Sequence, residues 1–407
     1  MQNIVLISKD VLRKDYLPVY GNSYWKTPNI DELASKGTVF YRHYTAAPST
    51  AMSFTSMFTG LYPFQTGRTK YIEVSDNDKA AVSETLFDML EKKGYSCHML
   101  WSSNYVHMAE RFSKCFGKHT VHHDTLELNQ YVGAHMKGMI NDIPRNDGKT
   151  EEVYSQLIKE IDTIDMSNPV FLWVHLPHVF AGRTGYGDDI DILDRFVGDI
   201  RKRFGDFIYI TADHGCGNGK DGVTGYGFDL YESQICIPLI SPLINDSHEI
   251  RFPTSNTQLI EFLVEGKVTK REYVLSDTAY YQQPHRKLAV ISGPYKYIYR
   301  KQSKTESMFD VEYDREENID LNKALIHDKD RNRDVIARQV LFYPYWNAAE
   351  KRILDLRDIK DSIWKDVNVR ERIKYGPWRR VLRNMYIKYN ESKIISKRKR
   401  ENQKSNK

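Results

Sequence analysis

Three short stretches carry residue types able to hold a divalent cation, and a fourth carries a hydroxyl placed to act as a nucleophile. Asp10 follows the apolar run Ile4-Val5-Leu6-Ile7. Asp213-His214-Gly215 follows the apolar run that starts at Phe207. His175 and His178 lie at the end of a third run, Val170-Phe171-Leu172-Trp173-Val174. Oxygen and nitrogen donors without thiolate suit Zn, Mn, Mg or Ca, and imidazole tilts the choice toward Zn or Mn. Adjacent donors on a tight Gly turn, as in Asp213-His214-Gly215, hold two coordination directions at once. The hydroxyl is that of Thr50, at the start of a helical stretch ending before Gly60. A helix N-terminus is a positive field that favours an alkoxide and binds anions such as phosphate. Each residue also has a plainer use. Asp10 serves equally as a helix cap, His175 as a hydrogen-bonded core residue, and Thr50 or Ser49 as an N-cap.

Such residues meet only if the elements before them lie side by side. The first 325 residues alternate strand and helix patterns, which predicts a doubly wound α/β fold with a mostly parallel sheet. Asn3–Ser8, Ser96–Trp101, Val170–Leu176 and Phe207–Thr211 read as strands, continuous apolar runs being expected where both faces are buried. Helices are predicted over 27–37, with Thr27 as cap and Pro28 at the first position, over 83–94, and over about 151–164 and 188–203. In such sheets ligands bind at the carboxyl ends of the strands, where Asp10, His175 and Asp213 all fall. From about 270 to 325, short strands separated by turn residues predict a small antiparallel sheet. Residues 326–407 form a charge-dense, helical extension, so the expected division is a catalytic domain over 1–325 and an extension after it.

The composition bounds the rest. Of 407 residues, 41% are apolar, enough for a substantial core and against wholesale disorder. No run approaches the ~18 uninterrupted apolar residues of a membrane span. The chain passes from Met1-Gln2-Asn3 straight into a strand, without a signal-peptide pattern, and its 4 cysteines are too dispersed for a disulfide framework. A cytoplasmic location is the expectation. The net charge of +5 is uneven: residues 370–407 hold fourteen Lys and Arg against three Asp and Glu, a balance of +11, leaving −6 for the remainder.

Asn3-Ile4-Val5-Leu6-Ile7-Ser8-Lys9-Asp10, Tyr20-Gly21-Asn22, Thr27-Pro28-Asn29-Ile30-Asp31 and Thr59-Gly60-Leu61-Tyr62-Pro63 resemble the opening of the sulfatase family, within the alkaline-phosphatase-like superfamily. Leu176-Pro177-His178, Ala212-Asp213-His214-Gly215, Leu230-Tyr231-Glu232 and Tyr295-Lys296-Tyr297 resemble later family segments in the same order. The resemblance spans residues 1 to about 325 and implies one divalent metal held by Asp10, Thr50, Asp213 and His214. It also departs from the family. Sulfatases carry a Cys or Ser, oxidised to formylglycine, where this chain has Thr50; the Arg four residues later is Phe54, and the second of paired Asp residues is Val11. Thr lacks the primary Cβ that this oxidation needs. Thr50-Ala51-Met52-Ser53-Phe54 instead resembles the nucleophile segment of the superfamily's phosphoethanolamine and phosphoglycerol transferases, which use a metal-bound Thr.

The resulting expectation is phosphoryl or phosphodiester transfer through a covalent phospho-Thr50, with His178 and His175 contacting the phosphoryl oxygens or protonating the leaving oxygen. Lys9 and Arg68 are further candidates for anion contacts. The substrate class is a small-molecule, glycan or lipid head-group phosphate ester. Residues 378, 381, 382, 385 and 386 put apolar side chains on one face of a basic helix, which suits equally peripheral contact with an anionic membrane and packing on the body with a solvated Lys/Arg tail. Nucleic acid is disfavoured, the basic charge being terminal and without a binding motif. The alternatives are a sulfate ester hydrolase that works without formylglycine and a catalytically silent member that binds a partner through its tail.

Overall fold

Continuous apolar runs become the inner strands of an eight-stranded sheet in the computed structural model, which describes residues 1–66, 84–101, 121–123, 149–176, 189–218, 224–278, 286–323 and 351–365. The strands are β1 (Ile4–Lys9), β2 (Thr38–Phe40), β3 (Ser96–Trp101), β4 (Val121–His123), β5 (Val170–Leu176), β6 (Ile208–Ala212), β7 (Leu239–Ser241) and β8 (Glu249–Ile250). Their spatial order is β8-β2-β7-β6-β1-β5-β3-β4. β1 lies between β5 and β6, parallel to both, with Ser8 opposite His175 on one side and Thr211 on the other. Only β7 runs against its neighbours. The chain thus passes from strand ends to helices at one edge, and Asp10, His175 and Asp213 arrive there together.

Helices cover both faces. Val5 and Ile7 of β1 pack with α1 (Pro28–Lys36), α4 (Lys149–Asp162) and α5 (Asp189–Phe204). Ile4 and Leu6 point the other way, to α2 (Thr50–Thr59), α3 (Leu86–Lys92) and α6 (Leu259–Glu265). That alternation is the period-two rule of a strand buried on both sides. The cap of α1 differs from the expectation. Thr27 gives its hydroxyl to Asp31 Oδ1 at 3.0 Å and caps nothing. Asp194 of α5 supplies the acceptor instead, with Oδ1 2.9 Å from Ile30 N and Oδ2 2.9 Å from Asn29 Nδ2. At α3, Thr85 and Asp88 form a reciprocal capping box.

A second sheet is antiparallel, as expected, with four strands: β9 (Val274–Asp277), β10 (Lys287–Ser292), β11 (Tyr295–Arg300) and β12 (Thr305–Asp310). Residues 351–365 are helical. The chain divides into two compact units, Met1–Leu356 and Arg357–Lys407. Among the described residues no helix is long and apolar enough to cross a membrane. Arg68, His178 and the basic stretch around 378–389 lie outside the described residues.

Lys296 of β11 is fully buried between Glu232, at 2.9 Å, and Glu317, at 2.7 Å. Burial, with Glu232 beside it, pushes the Glu317 carboxyl up from 4.5 to about 7, against the pull of Lys296. The folded state therefore holds this proton more tightly than the unfolded chain. The resulting stability is complete below about pH 4.5 and is lost as pH rises through about 7. Glu317→Gln should flatten the decline in urea midpoint between pH 5.5 and 8; an unchanged slope would place its origin elsewhere.

Candidate active site

Thr50 is the first residue of α2, and its buried hydroxyl faces the turn after β6. Thr50 Oγ1 lies 3.2 Å from His214 Nε2. The same nitrogen is 3.3 Å from Asp213 Oδ2 and 4.0 Å from Asp10 Oδ1. His214 Nδ1 is 2.8 Å from the Gly215 carbonyl, which only accepts, so Nδ1 carries the proton and Nε2 presents its lone pair. The Tyr226 ring packs 4.5 Å from the imidazole. Burial lowers the His214 pKa, while Asp10 opposes that shift.

Asp213 Oδ1 accepts the N–H groups of His214, at 2.8 Å, and Val11, at 3.1 Å. Its Oδ2 is buried without a hydrogen-bond partner. Burial pushes this carboxyl up to about 6, against the hydrogen bonds it accepts. Val11 stands where the family has a second Asp. Its side chain enters the apolar core, its φ is +53°, and it contributes a backbone N–H instead of a carboxylate. A β-branched residue in the left-handed region costs about 1–3 kcal/mol, strain held here beside Asp10.

His175 completes the group: one donor atom each from Asp10, His175 and Asp213 lie within 4.8 Å of one another. The Trp173 indole donates to Ser8 Oγ at 2.9 Å, and Ser8 Oγ meets His175 Nδ1 at 3.0 Å, which fixes the ring. Burial, followed by the charge of Lys9, pushes His175 down to about 3, so the ring stays neutral at ordinary pH. That places it as a neutral donor; a charged imidazolium is not available from it. Lys9 is 3% exposed and near enough to act on His175. The structure therefore brings together Lys9, Asp10, Thr50, His175, Asp213 and His214 out of the residues anticipated from sequence.

This donor set fits a divalent cation. Donors on bonds of about 2.1 Å lie roughly 3–4 Å apart, the spacing found around His214 Nε2. A cation would also satisfy Asp213 Oδ2. Two carboxylates and two neutral imidazoles, with no thiolate, suit Zn or Mn better than a purely oxygen-lined site would.

Residues that sequence patterns did not single out hold Thr50 in place. Asn256 Oδ1 accepts Ala46 N–H at 2.9 Å, and its Nδ2 donates to Thr45 Oγ1 at 3.2 Å and Ser53 Oγ at 2.9 Å. Ser53 in turn donates to the Asp213 carbonyl at 2.6 Å. The start of α2 is thereby tied to the turn that carries His214. Asn256→Ala should destabilise the chain by about 1–3 kcal/mol, the cost of buried groups left unpaired, and lower turnover at least tenfold. Unaltered turnover after the expected loss of stability would show that the loop needs no such tie. Phe54 lies in an aromatic cluster, 4.8 Å from Trp173 and 4.7 Å from His175, so this position carries packing where the family carries an Arg.

Known proteins resemble this chain in sequence and in fold. The profile of the Sulfatase family matches residues 2–241, from β1 through the segments that carry Asp10 and Asp213 to β7. An arylsulfatase of Clostridium perfringens (strain 13 / Type A) is 39% identical over 93 residues, covering 23% of this chain and 19% of that protein. The chain spans half or less of the curated relatives leading that comparison, N-acetylgalactosamine-6-sulfatase of Homo sapiens being matched over 50% of its length. Among solved structures, a 2-O GAG sulfatase superposes with a TM-score of 0.60 at 15% identity, covering 89% of this chain and 94% of that one. Phosphonate monoester hydrolase of Agrobacterium radiobacter superposes with a TM-score of 0.59 at 14% identity, covering 88% and 96%. At these identities the superpositions speak for the fold, which is the alkaline-phosphatase-like one. Members of the profile's family are metal-dependent, and Asp10, His175 and Asp213 form a potential metal triad here. With the profile covering more than half of the sequence, the chain belongs to the sulfatase family.

Proposed function

We propose that this chain is a metal-dependent hydrolase or transferase of phosphate esters with Thr50 as nucleophile. The observation that carries the reading is the buried Thr50 hydroxyl at a helix N-terminus, 3.2 Å from His214 Nε2 inside the carboxylate and imidazole cluster. Asp10, Thr50, Asp213 and His214, with His175 as a fifth donor, are the residues that would hold the cation. The cation, when bound, would lower the pKa of the hydroxyl and offset charge on the non-bridging oxygens.

The chain's own residues account for the rest. Thr50 Oγ1 lies 3.2 Å from His214 Nε2, so nucleophile and ligand stand side by side before any substrate enters. Thr50 Oγ1 attacks phosphorus in line and gives up its proton, the bond to the leaving oxygen breaks, and that oxygen takes up one proton in turn, a transfer for which His178 remains the candidate. Water or an acceptor alcohol then attacks phospho-Thr50, gives up its proton and restores the hydroxyl. The N-terminal field of α2 and the Lys9 ammonium favour an anionic group at this edge.

The family match supports a second reading, sulfate ester hydrolysis at the same Thr50 without formylglycine. A glycan substrate class is supported by solved neighbours that hold D-glucosamine-2-N,6-O-disulfate or a carrahexaose, and a lipid head group by the likeness of the Thr50 segment to the transferases. The +11 balance of residues 370–407 supports cytoplasmic work at an anionic membrane surface. Metal-loaded protein incubated with phosphate and sulfate esters, followed by mass spectrometry of the Thr50 peptide, tests the proposal. Phospho-Thr50 with phosphate release supports the first reading, and sulfate release alone moves the assignment to the second. Neither product from a broad ester panel would leave a binding protein.

A further inference from the structure

The Tyr226 ring lies against the imidazole of His214, with centroids 4.5 Å apart and planes tilted by 31°. A short return of the chain brings it there. Gly217–Asn218, just past the Asp213-His214-Gly215 turn, pairs antiparallel with Thr224–Gly225. Gly225 and Gly227 then bracket Tyr226 with φ of +83° and +86°, a backbone conformation that residues with a Cβ rarely adopt. A Cβ at Gly225 would meet nothing within 4 Å, so the conformation, not space, calls for glycine there. Tyr226 is itself partly buried against the core that holds Val5, Ile7 and Val11, which gives its ring a firm backing.

His214 is fully buried, and its own side chain is tied by the Nδ1 bond to the Gly215 carbonyl at 2.8 Å. A bond of this kind to the next residue fixes one ring atom and leaves the imidazole plane free to tilt about it. The tilt matters because of what surrounds the other nitrogen. Nε2 faces Thr50 Oγ1 at 3.2 Å, Asp213 Oδ2 at 3.3 Å and Asp10 Oδ1 at 4.0 Å. A flat group packed on the imidazole removes the tilt that the hydrogen bond allows, and ring pairs at this separation attract beyond the area they bury.

We propose that Tyr226 is a positioning residue, whose ring holds the plane of His214 so that Nε2 points to the place between Asp10, Thr50 and Asp213 where a divalent cation would bind. The inference rests on the reading of this cluster as a cation site. Groups that orient a metal-binding histidine from behind typically change metal affinity or activity by about 10–100-fold when removed. Here the task is divided: the Gly215 carbonyl sets the tautomer, and Tyr226 sets the plane. The ring carries that role, so the phenolic hydroxyl is dispensable to it.

The test titrates Zn and Mn by calorimetry into the metal-free full chain and into Tyr226→Phe, Tyr226→Leu and Tyr226→Ala. Leu keeps an apolar contact with the core and offers no flat face. The expected result is an affinity within about threefold of the parent for Tyr226→Phe and a loss of at least about tenfold for Tyr226→Leu and Tyr226→Ala. Melting of the metal-free proteins separates this from packing alone. A merely structural role would lower the melting temperature and leave the cation affinity of the folded variants unchanged, which overturns the proposal. An equal loss in Tyr226→Phe also overturns it, since the hydroxyl would then be the cause. Should Tyr226→Ala fail to fold, Tyr226→Leu decides by the same criterion. A parent that takes up no cation overturns the metal reading and this inference together, whereas a binding parent matched by Tyr226→Leu overturns this inference alone.

Discussion

Thr50→Ala should give a folded, metal-binding protein whose turnover has fallen at least about 10³-fold, since removing a covalent nucleophile removes the reaction path itself. The fold should tolerate the change. Thr50 opens α2 without capping it, Ser49 occupying the cap position, and the Asn256–Ser53–Asp213 tie does not involve the Thr50 side chain. His214 keeps its Nδ1 bond to Gly215, so the imidazole orientation should survive, and Asp10, His175, Asp213 and His214 should still hold the cation, more weakly for the loss of one donor. Thr50→Ser is the companion measurement. It retains the hydroxyl in the field of α2 and loses one methyl, so turnover within about tenfold of the parent is expected. Steady-state rates on one ester and metal content by atomic absorption check both variants together. An active Thr50→Ala would remove the nucleophile assignment, and an inactive Thr50→Ser would show that the methyl, not the hydroxyl, is essential.

How far the sequence reaches is set by whether a feature is local. β1, β5 and β6 are continuous apolar runs, so their ends, and with them Asp10, His175 and Asp213, are readable from the chain alone. That these strands lie parallel follows from the strand and helix alternation; their order does not. What stays hidden comes from partners distant in sequence. Asp194 caps α1 from more than 160 residues away and displaces the neighbouring Thr27, whose sequence context was correct but whose hydroxyl had a better acceptor in Asp31. Asn256 sits inside a visible Ser255–Gln258 capping pattern, yet its own side chain serves Thr45, Ala46 and Ser53 across the fold. Val11 looked like a missing ligand; its positive φ and backbone bond to Asp213 show that the position still serves the site through the main chain.

Asp213→Asn should separate the electrostatics of the site from its packing. The amide oxygen can take the place of Oδ1 and keep both backbone donors, Val11 N–H and His214 N–H, satisfied. The amide nitrogen then takes the place of Oδ2, 3.3 Å from His214 Nε2, where it can donate to the lone pair that would otherwise bind a cation. Two opposite effects follow. Burial holds the native carboxyl up at about 6, so at neutral pH it is mostly ionised and its charge costs the metal-free fold stability. A neutral amide removes that cost, so metal-free Asp213→Asn should melt at or above the temperature of the metal-free parent. The cation should stabilise only the parent, by about 2.7 kcal/mol at a hundredfold excess over Kd, since it binds the folded state alone. Melting curves with Mn or Zn and with chelator therefore give a crossing pattern: the variant is no less stable without metal and less stable with it. Turnover should fall at least about 10³-fold, with residual metal content near zero. A variant that gains the parent's full metal-dependent shift would remove Asp213 from the ligand set. One that is strongly destabilised without metal would show instead that the buried charge is compensated within the protein, and that the cluster needs no cation to hold two carboxylates together.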